Sequence, residues 1–203
     1  MKYMLAADKE HYQLKKDSID ALNIKCHDLK HTLNSLKGEL SPNAISEFEK
    51  VIKNYDSVIR TGNDALDTIL TEKNIFCQQN NISFTFMGDG SKLQFMDKVD
   101  IYTLFGNALD NASRAVLETV DQDKRHISMT ISVQNSFISI HIENYYSGTL
   151  VFEKGLPVTT KEDKKNHGFG LKSIQLIVSK YDGTLAMNSQ SGLFNLDIIL
   201  NAE

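Results

Sequence analysis

Phe105-Gly106-Asn107-Ala108-Leu109-Asp110-Asn111-Ala112-Ser113-Arg114 is the stretch from which the rest of the chain is best understood. Ala108, Ala112 and Ala115 recur at helical spacing and give a helix one side small enough to lie close against a sheet. Asn107, Asn111 and Arg114 stand at i, i+4 and i+7 and form a polar stripe on that helix. Asparagine is a poor helix former, so two of them in mid-helix oppose the local preference. Departures of this kind mark positions kept for function. An amide oxygen is a hard ligand suited to Mg²⁺, which binds phosphates while keeping several waters. A guanidinium reaches phosphate oxygens well. The two asparagines, Asn107 and Asn111, are therefore candidates for holding a metal, and Arg114 is a candidate for reaching a phosphate. The plainer reading of the same stripe is a solvated polar face.

The flanks predict an α+β domain with helices grouped on one face of a mixed sheet. Ile82-Ser83-Phe84-Thr85-Phe86 alternates apolar and polar, as a half-buried strand does. The helix itself is expected from about Asp100 to Val120, followed by strands His126 to Val133 and Phe137 to Ile142. Tyr145 to Asn166 is polar and contains glycine and one proline; connections of that length are usually functional. A helix from about Leu171 to Tyr181 and a hairpin, Thr184 to Asn188 and Phe194 to Leu200, close the chain. Where the long connection meets the helix stands Asn166-His167-Gly168-Phe169-Gly170-Leu171-Lys172. Glycine lets a backbone approach a ligand, and a helix N-terminus favours an anion. The preceding lysines, Lys154, Lys161, Lys164 and Lys165, strengthen a phosphate reading, although a plain loop-to-helix junction uses the same residues.

Residues 1–78 have a different period. Ile19, Leu22, Cys26, Leu29, Leu33, Leu36 and Leu40 form a heptad seam. Ser41-Pro42-Asn43 interrupts it, and a second seam runs through Ile45, Phe48, Ile52, Tyr55, Ile59, Gly62, Leu66 and Ile69. Two long helices joined by so short a turn must run antiparallel. One hairpin buries too little, so a second copy completing a four-helix homodimer is expected. A coiled-coil spacer without chemistry has the same pattern. On the first helix, His27 and His31 share a stripe beside the seam, and Asp28 follows His27 directly. A neutral imidazole accepts a phosphoryl group, and a neighbouring carboxylate fixes its tautomer. The alternatives are a pair of surface histidines, or an i,i+4 metal site that lacks an obvious third ligand.

Composition narrows the classes. The 203 residues carry a net charge of −4 with no basic block, which disfavours nucleic acid as a partner. Two cysteines without paired spacing suit a reducing, cytoplasmic setting. No apolar run approaches the ~18 residues of a membrane span, so no membrane contact by this segment is expected.

Taken in order, these segments resemble the GHKL superfamily. Within it they resemble sensor histidine kinases of the accessory-gene-regulator, peptide-pheromone type of Gram-positive bacteria. His27-Asp28-Leu29-Lys30 is similar to that family's H box, and Asn107-Ala-Leu-Asp-Asn111-Ala to its N box, whose second asparagine binds Mg²⁺. Gly155 to Lys161 and His167-Gly168-Phe169-Gly170-Leu171-Lys172 are similar to the ATP lid and the second glycine box. The usual Asp-x-Gly-x-Gly box is replaced by Ile142 to Gly148, which makes Asn144 the candidate for reading adenine. The resemblance implies a dimerising phosphotransfer hairpin over 1–78 and a Bergerat-type α/β sandwich over 79–203. It implies ATP and Mg²⁺ as cofactors and autophosphorylation of His27, with Asp28 and Lys30 beside it. It also implies transfer to a response-regulator aspartate and a parent protein with a membrane sensor. A GHKL module that holds ATP without kinase activity and a serine kinase of the anti-sigma type are the rival classes.

Overall fold

The computed structural model describes residues 2–36, 58–148, 150–153, 156–157 and 169–202. In chain order the elements are α1 (Lys2–Leu36), α2 (Asp64–Gln79), β1 (Ser83–Met87), α3 (Lys98–Leu117), β2 (His126–Gln134), β3 (Phe137–Tyr145), β4 (Phe152–Glu153), β5 (Leu156–Pro157), α4 (Phe169–Lys180), β6 (Thr184–Gln190) and β7 (Leu193–Asn201). The expected turn at Ser41-Pro42-Asn43, the first half of the second seam (Ile45, Phe48, Ile52 and Tyr55), and Lys154, Gly155 and the stretch 158–168 lie outside the described residues.

Five strands form one sheet in the order β1-β2-β3-β7-β6, with β1 parallel to β2 and every other pair antiparallel. The parallel pair is joined through α3, because a parallel connection needs a crossover. Of the antiparallel pairs in this sheet, β2–β3 and β6–β7 are hairpins, whereas β3 and β7 meet across a long connection. At the β6–β7 turn Ser191 and Gly192 both have positive φ, +54° and +80°, the conformation that matches the twist of two-residue hairpins. Side chains alternate across the sheet. Ile127, Met129 and Ile131, then Ile138, Ile140 and Ile142, then Leu196, Ile198 and Leu200 are buried. Ser128, Thr130, Ser139, His141, Asn195 and Asp197 face the other way, and His141 Nδ1 pairs with Asp197 Oδ1 at 2.7 Å across the β3–β7 ladder. The result is the expected mixed sheet with its helices on one face, of which α3 and α4 cover the buried residues through Leu104, Phe105, Ala108, Leu109, Ala112 and Ile174. Ala108 and Ala112 pack closely there, whereas Ala115 is half-buried.

The second seam departs from expectation at its C-terminal end. The chain is not helical at 58–63: Gly62 has φ +87°, and a new helix starts behind Asn63. The Asn63 side chain accepts from the N–H groups of Ala65 (3.1 Å) and Leu66 (3.2 Å). Asp67 Oδ1 accepts from Thr61 N (2.7 Å) and Thr61 Oγ1 (2.6 Å), tying the break down. Two side-chain caps and a left-handed glycine outweigh the apolar period that runs through them. Helix α2 then buries Leu66, Ile69, Leu70 and Cys77 in the core shared with α3 and the sheet. Its residues, grouped with the hairpin by periodicity, belong to the body that carries the sheet.

Helix α1 runs without interruption for 35 residues. Among its described side chains Tyr12 is buried, with its ring 5.4 Å from that of Tyr102 on α3. Lys15 and Lys16 pair with Glu72 and Asp64 on α2, each at 3.6 Å. Among the described residues no helix is long and apolar enough to cross a membrane.

Candidate functional site

The polar stripe of α3 meets the start of α4. Asp97 caps α3, accepting from Val99 N at 2.8 Å, and Arg114 lies in its last turn, where a cation suits the helix dipole. Asn107 and Asn111 are half-buried, whereas Arg114 is exposed. Gly170, in the first turn of α4, lies so near Asn107 that a Cβ on it would come 3.2 Å from Asn107 Oδ1. Leu171, next in sequence, packs against the core and anchors that turn. A first helical turn has backbone N–H groups without partners in the helix. Here that turn starts beside the Asn107 amide, so the two motifs read separately in the sequence share one place.

Asn111 fits the metal-nucleotide role expected of it. Its Oδ1 accepts from Arg114 Nη2 at 2.7 Å, and Arg114 Nε donates to Asp110 O at 3.2 Å. Its Nδ2 is buried and has no hydrogen-bond partner among the described residues. A buried donor left unsatisfied costs about 1–3 kcal/mol. An acceptor brought by a ligand removes that cost, and the Oδ1 is the hard oxygen that Mg²⁺ takes.

Two further contacts hold these helices. Asp100, buried near the start of α3, is paired with Lys180 Nζ and accepts from Tyr181 Oη at 2.6 Å; Tyr181 Oη accepts in turn from Asp97 N at 2.8 Å. The Asp100 carboxylate holds the Lys180 ammonium above the usual lysine range, and burial followed by the Asp100 bond raises Tyr181. This joins the C-terminal end of α4 to the N-terminal end of α3, opposite the Asn107–Gly170 contact. On the other flank Lys73 of α2, buried, donates from Nζ to Asp110 Oδ1 at 2.7 Å, one residue before Asn111. Lys73, Asp100 and Tyr181 were not marked by the sequence. A lysine on an amphipathic helix reads as solvated, and its burial follows only from the packing of α2.

Asn144 is buried, on the helix-facing side of β3, and its Nδ2 donates to Tyr145 O at 2.8 Å. At the same end of β3 a concavity of about 250 Å³ opens between Tyr145, Tyr146, Thr119, Asp121, Lys124 and Gly192. His27, Asp28 and Lys30 all lie on the helical backbone of α1, where Asp28 and His31 are exposed. Lys161, His167 and Gly168 lie outside the described residues. The site therefore assembles Asn107, Asn111, Arg114, Gly170 and Leu171 from two helices.

The GHKL domain profile matches residues 96–201, just over half of the 203. A probable C4-dicarboxylate sensor kinase of Bacillus subtilis (strain 168) is 25% identical over 197 residues, 87% of this chain and 36% of the relative. A protein of the same description from Halalkalibacterium halodurans is 22% identical over 190 residues, 85% of this chain and 35% of the relative. The chain thus spans about a third of the length of these relatives. A solved catalytic domain of histidine kinase ThkA superposes with a TM-score of 0.52 at 17% identity, covering 70% of this chain and 93% of that one; it shows the same fold. The residues matched by the profile run from Met96 to the end of the sheet and include both helices of the site, and the chain belongs to the GHKL-domain family.

Proposed function

We propose that this chain is the kinase core of a two-component sensor histidine kinase. It binds ATP with Mg²⁺ between α3 and α4, phosphorylates His27, and passes the phosphoryl group to an aspartate of a response regulator. The observation that carries the reading is the contact of Asn107 with Gly170 beside the buried amide nitrogen of Asn111, which has no partner among the described residues. The sensor-kinase relatives support it over most of this chain's length.

The chain's own groups have distinct tasks in this reading. Asn111 Oδ1 would hold the cation, which when bound shields the phosphate charge. Arg114 leaves Asn111 Oδ1 and turns to the phosphates, a swap of partners for one guanidinium. The N–H groups at the start of α4 and the lid lysine Lys161, with His167 and Gly168, take up charge on the transferred group. Asn144 reads the adenine. A ring nitrogen of His27 attacks the γ-phosphorus as the bond to the ADP oxygen breaks, while Asp28 orients the ring and balances its positive charge. Lys30 adds a positive charge one turn from the attacked group.

The division into a dimerising phosphotransfer hairpin and a catalytic body is part of the proposal, with the border placed at the 58–63 break because α2 packs with the sheet. Likeness to the accessory-gene-regulator type rests on the His27-Asp28-Leu29-Lys30 motif and Asn144; the relatives are named for C4-dicarboxylate sensing, and one kinase core serves either signal. A cytoplasmic core on a membrane-anchored parent is the arrangement this implies.

Incubation of the whole chain with labelled ATP and Mg²⁺ tests the reading. Label that is acid-labile and alkali-stable, lost in His27→Gln and largely kept in His31→Gln, is expected. The reverse pattern moves the role to His31. Acid-stable label indicates a serine kinase, and nucleotide binding without label indicates a bare binding module.

A further inference from the structure

The charged groups on the flank of α3 away from α4 form a continuous series. His11 Nδ1 on α1 lies 3.2 Å from Tyr102 Oη, and Tyr102 Oη donates to Glu72 Oε2 at 3.0 Å. Glu72 Oε1 lies 3.6 Å from both Lys15 of α1 and Lys73 of α2. Lys73 bonds Asp110 Oδ1 at 2.7 Å, and Arg114 spans Asp110 O and Asn111 Oδ1. Seven side chains on three helices thus lead from the seat of α1 to the oxygen assigned to the cation.

Lys73 is the buried member, and its position is the informative one. A buried ammonium is retained only where carboxylates compensate its desolvation. Its two carboxylates differ in what they do: Glu72 meets α1, whereas Asp110 sits in the turn that carries Asn111. A change in either pairing must be taken up by the other, because one ammonium serves both.

We propose that Lys73 is a positioning residue for Asn111, holding the ligand-bearing turn of α3 through Asp110. The seat of α1 on Tyr102 and Glu72 sets how firmly it does so. The helix that carries the phospho-accepting histidine thereby tunes how well the body holds metal-bound nucleotide. This rests on the assignment of Asn111 above.

The test compares the whole chain with Lys73→Met, Tyr102→Phe and the double variant. ADP affinity is measured by calorimetry in Mg²⁺ and in EDTA, beside the melting temperature. The ratio of the two affinities reports the metal's share of binding, and a loss of general stability does not change it. Lys73→Met is expected to cut the ratio by about fivefold or more, the usual size of a coupling between sites. Tyr102→Phe keeps the ring against Tyr12 and removes only the hydroxyl, so a smaller cut is expected. The double variant should lose less than the product of the single effects. Unchanged ratios in both single variants, or equal losses in Mg²⁺ and EDTA, overturn the proposal while leaving Asn111 in place. A wild-type chain with no Mg²⁺ dependence removes the Asn111 assignment and the proposal with it.

Discussion

At the scale of single residues, the strongest statement concerns Asn111. Its amide nitrogen is buried without a partner among the described residues, and its oxygen is occupied by Arg114. Replacing it by alanine removes the ligand oxygen together with the orphaned donor. Asn111→Ala should therefore lose the Mg²⁺-dependent part of nucleotide affinity, about tenfold or more, and keep its melting temperature or gain slightly. Calorimetry with and without Mg²⁺ reads the first and thermal unfolding the second. Cys77 gives a second, independent check on the packing of α2. Burial pushes its thiol up to about 11, so it stays protonated at pH values where a free cysteine ionises. With Cys26→Ser as background, Cys77 should resist a thiolate-directed reagent at pH 8 and react at once in denaturant. The linkage has a definite sign. Between the unfolded value of 9.0 and the folded one near 11, the unfolded chain binds fewer protons, so this group's contribution to stability falls as pH rises through that window.

At the scale of elements, what decides the site is how α4 sits on α3. The two helices touch at both ends, through Asp100 with Lys180 and Tyr181, and through Asn107 with Gly170. These contacts divide the work. Tyr181→Phe removes a hydroxyl bonded to both Asp100 and Asp97 N, so it should cost about 1–2 kcal/mol of stability, read as a lowered denaturation midpoint. Gly170→Ala acts the other way. Alanine is the better helix former, yet its Cβ meets the Asn107 amide at 3.2 Å and displaces it. Stability should hold while nucleotide affinity falls about tenfold, a split that a purely structural glycine would not give. The sequence signalled the polar stripe and the glycine-led helix because both contradict local preference, but it could not place them against each other. It also missed the end of the second seam. Gly62 keeps the spacing of the seam, yet Thr61-Gly62-Asn63-Asp64 carries its own stop and cap. The strands were legible because one face is buried and the other open, which gives a clean period of two. β3 runs three residues further than expected, because Glu143, Asn144 and Tyr145 keep partners on β7 in Asn195, Phe194 and Leu193.

At the scale of the whole molecule, the unresolved requirement is cover for α1. Its seat on the body uses Tyr12 and its neighbours, but Leu14 is 60% exposed and Ile24 is 64% exposed. A long helix with open apolar positions and a heptad seam gains by packing against further helices. The second copy of the chain is the partner of matching pattern, since a two-fold arrangement puts the same seam on both sides. Each apolar side chain covered contributes about 1.5–3 kcal/mol, so a handful per protomer outweighs the cost of association. The whole chain should therefore sediment at micromolar concentration as twice its 22.9 kDa mass. Leu29→Asp and Leu33→Asp together place charges in the heptad seam, and should return the mass to 22.9 kDa without lowering the cooperativity of the body's unfolding. If the wild-type chain stays at the monomer mass across that range, the four-helix dimer must be abandoned, and autophosphorylation would have to proceed within one chain.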